Sequence, residues 1–78
     1  MSVILQALEA QLTTVEASIV QAELNVTRQR QHIETREAGG LDSELSRSFL
    51  DNLENSLALH RWWRTHLLGE MDRRLAAR

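Results

Sequence analysis

At 78 residues the chain has room for one small domain. Its 42% hydrophobic and 26% charged content excludes the profile of a disordered chain, and the lack of cysteine excludes disulfides and thiolate zinc sites. A formal net charge of −2 weighs against general binding to nucleic acid.

There is no proline, and two of the three glycines stand together at Gly39 and Gly40. That pattern reads as long helix, one turn, long helix. The opening residues, Met1-Ser2-Val3-Ile4-Leu5-Gln6, have no basic stretch and a short apolar run, so no secretory signal is expected. No uninterrupted apolar run approaches the ~18 residues of a membrane span, and cytoplasmic residence is expected. All nine basic residues are arginine. Either GC-rich coding or a need for bidentate ion pairs accounts for that choice.

A first helix is expected over about residues 2–37. Leu5, Leu8, Leu12, Val15, Ile19, Ala22, Val26, Gln29 and Ile33 follow at alternating steps of three and four, and Met1 extends the series backwards. This is a heptad seam. Ser2 is placed to cap the helix, and Glu9, Glu16 and Glu23 form one column beside the seam. A turn is expected over 38–42, with one glycine in the left-handed conformation that ends a helix. Asp42 or Ser43 then caps the second helix, with Glu44 in its positive first turn.

The second helix is expected over about 43–76. Its apolar stripe reads Leu45, Phe49, Leu53, Leu57, His60, Trp63, Leu67, Met71 and Leu75, widened by Leu50 and Leu68. Folding the chain at Gly39-Gly40 sets Leu8 against Met71, Leu12 against Leu67, Ile19 against His60, Ala22 against Leu57 and Val26 against Leu53. The same fold point carries Glu16 and Glu23 toward Arg61, and Arg30 toward Glu54. Apolar layers and charges therefore agree on one antiparallel two-helix hairpin, all-α and a single domain over 1–78. Its length is expected to be about 50 Å.

Two helices touch along one seam only, and so small a core supplies little net stability. The first helix also carries Val3, Ala10, Ala17 and Leu24 on its outer face, and the second carries Leu59 and Trp62. A homodimer forming a four-helix bundle, or docking on another helical protein, would cover them. Val3, Ala10, Ala17, Leu24, Leu59, Arg61, Trp62 and His66 are the candidate interaction residues. Within Arg61-Trp62-Trp63-Arg64 the two indoles point about 100° apart, so Trp63 is assigned to the core and Trp62 to a contact. His60 is read as a core imidazole bonded to Ser56 or a backbone carbonyl, with a pH-sensitive core as the sharper alternative.

No metal or cofactor is expected. His60 and His66 lie about 240° apart on the helix, and His66 with Glu70 supplies two ligands at most. No phosphate loop, nucleophile motif or pocket-forming loop is present, so catalysis is not expected. The rival function is RNA or DNA binding through Arg61, Arg64, Arg73, Arg74 and Arg78. The architecture is similar to that of the plasmid copy-control bundle proteins, small dimeric hairpins that bind RNA; the similarity implies that use of the fold without any shared motif. Against it, Glu9, Glu16 and Glu23 lie beside the basic end of the expected hairpin. The reading favoured is an adaptor, chaperone-like or scaffolding hairpin that binds protein, its own copies first.

Overall fold

The structure, a computed structural model, describes residues 2–77; the expected seam position Met1 and the candidate contact Arg78 lie outside the described residues. Two α-helices make up almost all of it, α1 over Val3–Ala38 and α2 over Glu44–Ala76. They form the expected antiparallel hairpin. The rod measures 61 × 14 × 13 Å between Cα extremes, longer than expected because α1 alone runs to 36 residues and the turn extends one end.

Local chemistry fixes the helix ends. Ser2 caps α1 at its start, its Oγ accepting from the Leu5 N–H at 3.4 Å. At the other end the Leu41 N–H donates to the Arg36 carbonyl at 2.9 Å and the Gly40 N–H to the Glu37 carbonyl at 3.0 Å. Those two bonds define a Schellman motif, which requires a left-handed residue between them. Gly40 supplies it with φ of 74°. Arg36 then reaches forward and donates to the Asp42 carbonyl through Nε at 2.9 Å and a terminal nitrogen at 2.8 Å.

The start of α2 divides the capping work between two residues. Ser43 occupies the cap position but makes no side-chain capping bond. Its hydroxyl donates instead to Glu37 Oε2 at 2.8 Å and accepts from Arg47 Nε at 3.3 Å. The Asp42 carboxylate accepts the Glu44 N–H at 3.1 Å. A serine expected to serve its own helix thus ties the two helices together.

The α1 seam is the expected one, with Leu5, Val15, Ile19, Val26 and Ile33 buried. On α2 the seam differs from expectation. Leu45, Phe49, Trp63 and Leu75 are exposed, and the half-buried or buried line runs through Ser46, Leu50, Leu53, Leu57, His60, Arg64, Leu67 and Met71. The reason is geometric. Repeated four-residue steps rotate by about 40° each and leave the contact line, whereas alternating threes and fours hold it. Following the largest apolar residues selects the wrong line, and the true one admits Ser46 and Arg64.

Ile19, Val26 and Leu57 form the central cluster, with Ala22, Leu50 and Leu53 packed on it, as the expected register requires. Gln29 interrupts the apolar seam of α1 and donates from Nε2 to the Ser46 carbonyl of α2 at 2.9 Å. That bond pins the register near the turn.

By length and composition alone α1 could cross a membrane, since an 18-residue window reaches mean hydropathy 1.2, although no uninterrupted apolar run approaches that length. In the hairpin this apolarity is divided between two faces. Leu5, Val15 and Ile19 meet α2, while Val3, Ile4 and Val20 are exposed.

Candidate protein-interaction surface

The hairpin has two long edges where the helices meet, and their chemistry is opposite. Along one edge run three ion pairs, Glu37 with Arg47 at 2.6 Å, Arg30 with Glu54 at 3.2 Å, and Glu23 with Arg61 at 3.5 Å. Each step is seven residues on both helices, so every pair falls at the same heptad position, and the signs alternate. Exposed pairs of this kind set register and reject slipped pairings more than they add stability. The expected pairings of Arg30 and Glu23 are present. None of the ion pairs among the described residues includes Glu16, because the next step of the ladder sets it level with Leu68.

Charge within the ladder is strongest at the turn. Glu37 accepts from Arg47 and from Ser43, and these bonds hold its carboxyl below the usual 4.5. The same carboxylate raises the Arg47 guanidinium. At the far end of α2, Arg73 and Arg74 both donate to Glu70, whose carboxyl is likewise lowered.

The opposite edge is an open, shallow groove. On α1 its wall is Gln11, Ser18, Asn25 and His32, seven residues apart, with Ala10, Thr14 and Gln21 beside them. On α2 it is Phe49, Ser56 and Trp63, again seven apart, with Leu45, Asn52 and His60 alongside. No carboxylate lines this groove, and its one arginine is Arg28. The channel on the ladder edge is lined by Glu23, Arg30, Glu54 and Arg61 among eight residues.

The candidate interaction residues distribute unevenly over this frame. Leu59 is exposed on the open-edge side of α2. Trp62 is exposed as expected, while Trp63, expected in the core, is 40% exposed. His66, one turn further on, stacks on both indoles, with centroids 5.3 Å from Trp62 and 5.6 Å from Trp63 and interplanar angles of 13° and 18°. The three rings form one aromatic patch at the margin of the open edge. Val3, Ala10, Ala17 and Leu24 follow the outer face of α1, and of these Ala10 also lines the open edge together with Trp63. Arg61 does not join them; its guanidinium is on Glu23 across the ladder edge.

The candidate phosphate-binding arginines are not gathered into a patch. Arg61 pairs with Glu23, Arg73 and Arg74 with Glu70, and Arg64 is half-buried on the α2 seam. Among the described residues there is no group of three or more histidine, cysteine or acidic side chains able to hold a metal ion.

Phe49, Trp63 and the polar column Gln11, Ser18, Asn25, His32 were missed as surface features. Their signal was present in the sequence as a heptad-spaced column without charge. The aromatic members were drawn into the core reading by their size. Compared with family models, curated proteins and solved structures, the chain finds no match.

Proposed function

We propose that this hairpin is a non-catalytic interaction module whose first partner is a second copy of itself, giving a four-helix bundle that serves as an adaptor, chaperone-like piece or scaffold in the cytoplasm. One observation carries the reading. No side chain among the described residues is wholly withdrawn from solvent, while Leu45, Phe49, Leu59 and Trp62 are each more than half exposed. Apolar area left in water forfeits about 25 cal/mol per Å², and a two-helix core has little stability to spare. Association recovers that area.

The test is the concentration dependence of thermal melting. A folded state that exists only in an assembly becomes more stable as protein concentration rises. Over a hundredfold range near micromolar, roughly, the midpoint of a self-associating hairpin climbs by several degrees. A midpoint that stays fixed across that range removes the proposal. Binding to RNA or DNA is the competing use of the fold, and the acidic partners of Arg61, Arg73 and Arg74 weigh against it. Retention on heparin that falls steeply with salt would favour the competitor.

A further inference from the structure

Resting on the self-association just proposed, we infer that the second copy docks along the open edge, through Gln11, Ser18, Phe49, Ser56 and Trp63, and leaves the ion ladder facing solvent. Three features select this edge and this occupant. The first is charge. A two-fold contact sets like surface against like, so any net charge on it meets its own sign. Between Ala10 and His32 on α1 and between Leu45 and Trp63 on α2 the open edge is lined by no carboxylate and by one arginine, Arg28, and Glu70, the next step of the α2 column, is held by Arg73 and Arg74; the ladder edge carries three cross-helix ion pairs. An acidic or basic partner helix would find little to recognise there.

The second feature is shape. Opposite Trp63 the α1 wall has the small side chains Ala10, Thr14 and Ser18, and the α2 wall carries the exposed Phe49 and Trp63. One edge therefore offers both the projections and the recesses that a self-complementary contact needs. The third is size. The whole rod is 61 Å long and 14 Å wide between Cα extremes, so a partner lying along its full length covers on the order of 800 Å², the area that a standard stable interface takes.

The experiment is sedimentation equilibrium of the full chain and four single variants. Gln11→Lys and Ser56→Lys place an ammonium on exposed positions of the open edge; Thr27→Lys and Ala58→Lys place it on exposed positions of the ladder edge. Gln11, Thr27 and Ser56 gain a residue of equal or better helix propensity, Ala58 is replaced by another good helix former, and circular dichroism checks each fold. The open-edge variants are expected to weaken the dimer by about tenfold or more, and the ladder-edge variants by less than about twofold. A dimer that survives both open-edge lysines, or that is lost with the ladder-edge ones, overturns the assignment of the edge and leaves self-association standing. A wild-type mass of one chain at every concentration overturns both readings and leaves the edge to a helix of another protein.

Discussion

Replacing each turn glycine by alanine gives a matched pair with opposite predicted outcomes. Gly40 has φ of 74°, where a Cβ crowds the following carbonyl at a cost of about 1–2 kcal/mol. Gly39 has φ of −84°, and a Cβ there meets the carbonyl oxygens of Arg36 and Thr35 at 3.5 and 3.6 Å, ordinary contact distances. Both alanines lower the entropy of the unfolded chain by the same amount, worth about 0.4–1 kcal/mol, so that effect cancels between them. Gly40→Ala should therefore be less stable than Gly39→Ala by about 1–2 kcal/mol. For a chain of this length each kcal/mol moves the melting midpoint by about 4–8 °C. Thermal circular dichroism at one fixed protein concentration reads the difference. Equal midpoints would refute the Schellman turn and, with it, the account of how the two helices reverse.

Other consequences are separable from the turn. Leu57→Ala, emptying the centre of the Ile19–Val26 cluster, should cost about 2–4 kcal/mol in urea unfolding; a loss below about 1 kcal/mol would mean that the seam is loosely packed. Ionised Glu37 has a folded-state value below its unfolded 4.5, so its contribution is present above about pH 4.5 and fades as pH falls through the folded value. The gap in melting midpoint between wild type and Glu37→Gln should accordingly close below pH 4.5, and a gap independent of pH would contradict the bond to Arg47.

The parts of the fold visible in the sequence were those in which independent signals converge. On α1 the heptad seam, the Ser2 cap and the following glycine pair all point to the same helix, and Val3–Ala38 is what forms. The register emerged from two separate features, apolar layers and opposite charges, and the Arg30–Glu54 and Glu23–Arg61 pairs stand where both placed them. On α2 the same approach chose Leu45, Phe49 and Trp63 for the core because burial was equated with size. Two partners at 3.5-residue periodicity admit only one line on each helix, whatever residues stand on it, so Ser46 and Arg64 are half-buried on that line and two aromatics are exposed beside it. The candidate surface shifted for the same reason. Trp62 stood out as the outward-pointing member of an adjacent pair, but only the folded chain stacks His66 on both indoles and sets an uncharged column of α1 across the groove from Phe49. Arg61 was expected both to meet Glu23 and to join the contact set, and at 3.5 Å from Glu23 it stands in the ladder.

Sedimentation equilibrium of the unmodified chain at micromolar concentration tests the central claim most directly. Self-association predicts a mass near twice the 9.0 kDa of one chain, falling toward that value on dilution. A folded, cooperatively melting species of 9.0 kDa at every concentration would contradict it.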